Sequence, residues 1–557
     1  MPQDINGFTV HETDVLVLGA AAAGTGAALA ALEAGRRVLL VDKGKFESCG
    51  SIGGGNDHFM AVLNTDEPFD TTEDFIRFYE KPNWGLVPDT IRQWAETCPH
   101  MIKFLESVGV EFRHNADGSY MRSQGFGQPG SWWILIKDGE KLKPRMSRRI
   151  LEMGAECLNH VQVTRLIAQK GRIVGAVGFD VRTGEFHVML GKAVILCLGP
   201  VAERGWTNST GNPFNCMYPP SVTGSHFVLP YEMGAELACL DNLQGATLFP
   251  KSFGCPGMNG ITGSGAHGLN ARGERYMLNY HAMTEQAPRG LLMQGTVREQ
   301  LKQAGPPFYM DMRHIDSATR DILDNDLMPG DKATWHEYCE QKGFDIATSP
   351  MEIEIGSISM EGRVLRNKNF QSTLPGLYVG CSFMSFSGAI CGGYLAAKHA
   401  SEEISSATVE FLPLDKQELN DEKDRVLKPL LDGGDTTYQL FESAIHQVMN
   451  YYMGYTRNEK GMRQALASLE RIEKLSDDLR AENLHELMRI HECLDLMKLC
   501  KLVVTASIER RETSLSTMAI RGDYPEPDKN LADKILVIRK KDGAPELHWE
   551  IKSEYLR

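Results

Sequence analysis

A chain of 557 residues exceeds one ordinary domain and leaves room for about three or four, or for one large domain with an insertion. Hydrophobic residues at 42% and charged residues at 24% exclude disordered and fibrous classes. The net charge of −14 would repel a phosphate backbone, which excludes bulk nucleic-acid binding but not a local basic pocket for a small anion. The 12 cysteines form no CxxC pair, and the N-terminal MPQDINGFTVHET is polar. The thiols therefore read as reduced and the expected location as cytoplasmic. The same spacing argues against an iron–sulfur cluster or other metal held by this chain alone. The longest apolar run, Val15 to Leu32, is full of Ala and Gly, so no membrane span is expected.

In chain order, Val15-Leu16-Val17-Leu18 reads as a buried strand, Gly19 to Gly24 as a small-residue turn, and Gly26 to Ala34 as a helix ended by Gly35. Val38-Leu39-Leu40-Val41 is the next strand, which makes a βαβ unit with a right-handed crossover. More strands are expected at Arg172 to Val177 and Ala193 to Leu196. Residues 236–345 are rich in Gly, Pro and polar residues with no obvious long strand, and read as an inserted capping domain. Gly376 to Gly380 is a strand-turn signal, and Gly392 to Ala400 starts a helix. Apolar spacing of i, i+3, i+4 makes Met462 to Leu479 and Leu484 to Ala506 helical. The tail carries one expected strand, Ile535 to Ile538. The expected division is 1–235 and 346–408 for a cofactor domain in two parts, 236–345 for the cap, 409–522 for a helical domain and 523–557 for a tail.

Gly19-Ala20-Ala21-Ala22-Ala23-Gly24 stands in the place of G-x-G-x-x-G, between strand and helix. Small residues such as Gly19, Ala22, Ala23 and Gly24 let such a turn approach a pyrophosphate, whose charge the helix N-terminus can hold. Asp42, 18 positions after Gly24, sits where an acid accepts from ribose hydroxyls. Ala21 replaces the usual second glycine, and its methyl would crowd the pyrophosphate slightly. A turn of this kind serves NAD, FAD or no ligand at all, so the choice needs more of the chain.

Further motifs follow in a fixed order: GSIGGGN at 50–56, TGSHFVLPYEMGAEL at 223–237, LNARGERYM at 269–277, APRG at 287–290, FYMDMRH at 308–314 and LPGLYVGC at 374–381, then HELMR and RETSLSTMAIRGDYP. From Asp14 to Pro525 this order resembles the flavoprotein subunits of fumarate reductase, succinate dehydrogenase and adenylylsulfate reductase. GRIVGAVGFDVRTGEFHV and the C-terminal helices look most similar to the adenylylsulfate reductase alpha subunit. The resemblance implies an α/β fold, with a Rossmann-like FAD-binding domain, an inserted α+β capping domain and a C-terminal helical domain. It implies flavin contacts at Lys43, Cys49, Gly50, Gly54, Gly55, Val163, Cys197, Gly199, Ser225, Gly380, Cys381, Tyr394 and Leu395. Cys49 matches the histidine that carries covalent flavin in respiratory members, so the FAD is expected to be non-covalent. Ser225 and Cys381 stand where acids are common.

Arg289 matches the family's proton-donating arginine. With a pKa above about 12 it acts as an acid only where preorganised contacts favour the charge change. It reads equally as a structural partner of Glu285. His267 is a second candidate donor. The family's relay residues match Asn259 and Thr262, and its dicarboxylate clamps match Ile353 and Ala389 or Ile390. Aliphatic side chains cannot neutralise a buried carboxylate, so fumarate and succinate are not expected substrates. Positions that line the adenylylsulfate site match Met60, Ser221, Phe249 and Phe383 or Met384. Met60, Phe249, Thr262, Met384 and Ile390 are the expected substrate pocket, suited to a conjugated carbonyl or aromatic compound, although each apolar one also reads as ordinary core. His58, with Asp57 beside it, is a candidate to face the flavin.

The leading expectation is an FAD-dependent oxidoreductase, the catalytic subunit of a hetero-oligomer, exchanging electrons with a ferredoxin-like iron–sulfur subunit. The alternatives are a non-catalytic electron-relay flavoprotein and an adenylylsulfate reductase alpha subunit.

Overall fold

The computed structural model describes residues 3–4, 7–81, 85–125, 127–200, 219–251, 258–331, 334–360, 362–406 and 408–555. Val15-Leu16-Val17-Leu18 is apolar at every position because both faces of its strand are covered. Val15 and Val17 enter one core and Leu16 and Leu18 enter another, all four fully buried. This strand, Phe8–Leu18, lies inside an eight-stranded sheet. Val38–Asp42 and then Glu156–Asn159 pair in parallel on one side. Phe186–Leu196 pairs in parallel on the other, followed by Arg172–Asp180 and Val161–Gln169 in antiparallel array. Leu377–Val379, some 180 residues later in the chain, adds in parallel to the end of Phe186–Leu196.

The helix Ala22–Glu33 crosses the helix Ser385–Ser406 at glycine contacts. A Cβ on Gly26 would lie 2.0 Å from the Ile390 carbonyl oxygen, and one on Gly393 would lie 1.8 Å from that of Ala23. The second helix begins earlier than Gly392, the start expected from sequence, because Ser385 to Ile390 continue the apolar packing face.

The cap contains a four-stranded antiparallel sheet in the order Leu243–Pro250, Met351–Met360, Phe308–Asp311, His267–Leu269. No long strand was legible in this stretch, because its strands are interrupted by Gly and Pro and lie far apart in sequence. The longest, Met351–Met360, lies past the boundary expected at 345. There Met351, Ile353 and Ile355 alternate inward, a period of two that short flanking turns obscure.

Four helices follow: Lys416–Leu431, Tyr438–Tyr452, Glu459–Glu473 and Leu484–Glu509. Asp415, Thr437, Asn458 and Asn483 each cap one with a side-chain oxygen on a first-turn N–H. The tail holds two strands rather than one. Lys534–Lys541 and Ala544–Ile551 form a hairpin through Asp542-Gly543, both with positive φ, and it joins Leu237–Ala238. Among the described residues, no helix is long and apolar enough to cross a membrane.

Polar contacts, including Lys498 with Glu232, tie the helix Leu484–Glu509 to the cofactor domain. Lys43 Nζ lies 2.5 Å from Glu492 Oε1, and Ser225 donates to Asp495 Oδ2 at 2.5 Å. Burial pushes the Asp495 carboxyl up from 3.8 to about 6, against the pull of Ser225 and Lys43. A carboxyl with a raised folded-state value contributes stability that is complete below its unfolded value and is lost as pH rises through the folded one. Asp495→Asn keeps a hydrogen-bond acceptor and has no charge to bury. Denaturant melts should show the variant more stable than the parent at pH 7.5 by about 3 kcal/mol, with the gap closing near pH 4.

Candidate functional site

The parallel strands end in register: Leu18 lies beside Val41 and Leu196, and Leu196 beside Val379. The residues that follow, Gly19, Asp42, Cys197 and Gly380, therefore meet at one carboxyl edge, where open α/β sheets bind ligands. Three backbone bonds hold the edge together. Gly19 N–H donates to Val41 at 2.8 Å, Cys197 N–H to Leu18 at 2.7 Å, and Gly380 N–H to Leu196 at 3.0 Å.

Close approach explains the glycines. Gly19 has φ +94, and a Cβ there would lie 2.3 Å from the Cys197 carbonyl oxygen; one on Gly24 would lie 2.0 Å from that of Gly19. The Ala22–Glu33 helix starts at this turn without a side-chain cap, leaving its first N–H groups to an anion. The Ala21 methyl points at Gly50, which has φ +73 and whose own Cβ would come within 2.2 Å of it. Gly50 thus makes the room that Ala21 takes away, so the missing second glycine is accommodated from the neighbouring loop. Gly54 has nothing within 4 Å of its missing side chain, whereas Gly55 is pressed against the Gly330 carbonyl of the cap.

Asp42 accepts from Ala20 N–H at 2.8 Å through Oδ2 and from Gly44 N–H at 2.7 Å through Oδ1, with lone pairs left on both oxygens. Cys49 is buried close to Asp42, and its burial pushes the thiol up. Burial, with a hydrogen bond to Cys381, raises the Cys197 thiol, while the same bond lowers Cys381 against the effect of its burial. Gly199 has φ +86 and lies against Val222. His226, on the helix that follows, is buried with neither ring nitrogen partnered among the described residues. Burial, helped by Arg363, pushes its imidazole down to about 3. Val163 pairs with Gly178 in the sheet, and His160 N–H just before it donates to Gly44.

Several sequence-derived contacts lie elsewhere. Lys43 is taken up by Glu492 and the Ser221 carbonyl. Ser225 faces Asp495 because the helix it opens docks on the helical domain. Tyr394 reaches Glu33 at 2.8 Å, at the far end of the helix from the glycine turn, and Leu395 is ordinary core. Ile390 is fully buried in the helix crossing rather than lining a pocket. Met60 is also buried, its sulfur accepting from Tyr79 at 2.9 Å and Gln128 at 3.1 Å. Met384 is half-buried beside the core, and the side chain of Phe249 lies outside the described residues.

Acid–base candidates gather at the seam between cap and cofactor domain. His58 Nδ1 lies 2.5 Å from Asp57 Oδ1, both buried, and the imidazole packs on Trp133 at 4.6 Å. Gly125 lies against Trp133 and Gln128, and Gly127 against Pro288. Gly127 N–H donates to the Gln286 carbonyl at 2.6 Å, and Gln286 Nε2 to that of Thr262 at 3.4 Å. Arg289 opens the helix Arg289–Leu301 directly after this junction. The fold thus brings the segments that carry Asp57 and His58, Thr262 and Arg289 to one seam. Glu285, the expected partner of Arg289, is held instead by Arg275 at 2.7 Å. His267 stacks on His314 at 3.8 Å on the cap sheet, and burial with Arg275 beside it keeps the imidazole below its ordinary value.

A glycine-lined parallel edge, an uncapped helix start and a cap docked over the edge define a dinucleotide-binding α/β fold. Residues 14–404 match the family model for an FAD binding domain, and residues 442–554 match that for the fumarate reductase flavoprotein C-terminal region. The chain belongs to this family of FAD-dependent oxidoreductases, and FAD is its cofactor. It is 24% identical to an uncharacterized FAD-dependent oxidoreductase of Methanocaldococcus jannaschii, over 98% of this chain and 100% of that one. It is 22% identical to one subunit of the fumarate reductase (CoM/CoB) of Methanothermobacter marburgensis, over 95% and 98%. The adenylylsulfate reductase structure from Archaeoglobus fulgidus shares the fold with a TM-score of 0.84 at 22% identity, covering 97% of this chain and 95% of that one.

Gly54 tests the cradle because its substitution meets no protein atom. Gly54→Ala should leave the melting curve of the FAD-free protein unchanged and weaken FAD retention several-fold on gel filtration. Gly19→Ala should lower the melting temperature as well, because its methyl would strike the Cys197 backbone.

Proposed function

We propose that this chain is the catalytic flavoprotein subunit of an oxidoreductase acting on a small, uncharged or weakly anionic organic molecule, such as a conjugated carbonyl or aromatic compound. FAD, bound non-covalently at the glycine cradle, supplies hydride chemistry, and the chain's own residues bind substrate and manage the proton. The reading rests on the two positions where the family resemblance calls for dicarboxylate clamps. They hold Ile353 and either Ala389 or Ile390, all aliphatic, and none of these side chains can offset a buried carboxylate.

The seam supplies the proton chemistry. Asp57 orients His58 through Nδ1, which leaves Nε2 as the exchanging atom. Arg289, which opens the helix beside this junction, serves as the cation for developing negative charge and as the proton donor that the resemblance implies. Electrons are exchanged with a ferredoxin-like iron–sulfur protein in the cytoplasm. That step has the support of relatives named as subunits of larger enzymes.

Anaerobic reoxidation of the reduced flavin tests the substrate class. An α,β-unsaturated ketone or aromatic enone should reoxidise it, and fumarate should not. Reoxidation by fumarate at a comparable rate would overturn the reading, tight binding of adenylylsulfate would replace it with a sulfur-directed one, and silence toward every compound would favour an electron relay. With a turnover assay in hand, Arg289→Ala and His58→Asn should each keep FAD and lower kcat by about a hundredfold or more.

A further inference from the structure

Lys143 is fully buried in the helix Leu142–Glu152, directly beneath the glycine turn. Its Nζ donates to the Ala20 carbonyl at 2.8 Å, to Thr25 Oγ1 at 3.3 Å and to Ser147 Oγ at 2.9 Å, and it sits 4.0 Å from the centre of the Phe46 ring. Among the described residues no carboxylate lies within ion-pair distance of it. Burying an ammonium without a counter-charge costs several kcal/mol, and methionine would fill much the same volume, so packing alone does not account for a lysine here.

The peptide joining Ala20 to Ala21 explains the choice. In a trans peptide the C=O and N–H point in opposite directions. Drawing the Ala20 carbonyl down onto Lys143 turns the Ala21 N–H up to the open side of the turn, where it has no partner among the described residues. Asp42 holds the preceding N–H, that of Ala20, at 2.8 Å. Thr25, a second acceptor for Lys143, donates in turn to the Ala21 carbonyl at 2.9 Å. The peptide planes on either side of Ala21 are therefore fixed, at the position that lacks the usual glycine.

We propose that Lys143 is a positioning residue for the FAD pyrophosphate: it aims the Ala21 N–H at the phosphates and adds a buried positive charge to the field of the helix N-terminus. This role makes FAD affinity depend on pH. Burial lowers the ammonium to about 8, against Cys49, Asp42, Cys157 and Glu47, the groups that face it from the neighbouring strands and loop. Burial drives both thiols up, Cys157 to about 12, so neither changes charge between pH 7 and 9. The cation is present below pH 8 and is lost above it, which removes attraction for a pyrophosphate as pH rises.

Flavin fluorescence on dilution of the holoprotein gives the FAD Kd without an activity assay. The Kd should rise by about tenfold from pH 7 to pH 9. Lys143→Met should raise it at least tenfold at pH 7 and abolish the pH dependence, while Lys143→Arg should keep tight binding with a flat profile. A wild-type Kd constant across this range would overturn the proposal whether or not the methionine variant folds. So would a methionine variant that retains the parent's pH profile.

Discussion

The three backbone bonds that join Gly19, Cys197 and Gly380 to the ends of neighbouring strands are the constraint on which the rest of this molecule depends. They bring segments from near 20, 197 and 380 to within a strand spacing of one another. At that distance a side chain on Gly19 or Gly380 would strike protein atoms: the Cys197 carbonyl at 2.3 Å in the first case and its sulfur at 2.4 Å in the second. The small residues are therefore demanded first by the protein's own backbone. The surface they leave for a pyrophosphate is a consequence of the same crowding.

From this edge outward, substitutions are compensated locally. Ala21 occupies space that a glycine usually leaves open, and Gly50 with its positive φ gives that space back. Ser225 and Cys381 stand where acids are common, and each has found a protein partner, Asp495 and Cys197 respectively. The shape of the cradle survives because it is made of main chain, while side-chain contacts around it have been reassigned to hold the helical domain and the inner cysteines.

How much of this was legible before the structure follows from the range of the interactions involved. The βαβ unit, the glycine turn and Asp42 rest on contacts within some 25 residues, and pattern alone reveals them. Motif order is enough to name Arg289 and Thr262 as candidates, yet that their segments lie near the one carrying His58 depends on Gly127 packing against Pro288, a contact across some 160 residues. Tyr394 and Ile390 were misjudged because sequence does not tell which face of Ser385–Ser406 meets the first helix. Lys143 is illegible in the sequence for a related reason. In LKPRMSRRILE it is one of four basic residues on a short helix, and only tertiary packing shows that it points inward while Arg148 and Arg149 stay exposed.

The distribution of buried charge separates the two halves of the site. Beneath the turn, among the described residues, a buried ammonium has no carboxylate within ion-pair distance, an arrangement that a dianionic ligand above the turn would complete. Under the cap, the positions that the resemblance matches to dicarboxylate clamps hold only aliphatic side chains, Ile353 and Ala389 or Ile390, while the buried Asp57 and His58 pair with each other. A substrate that brought two carboxylates into that second environment would have to leave at least one unneutralised. A substrate that gains charge only as it reacts needs a single cation near the developing charge and a proton to quench it, the roles proposed for Arg289 and His58.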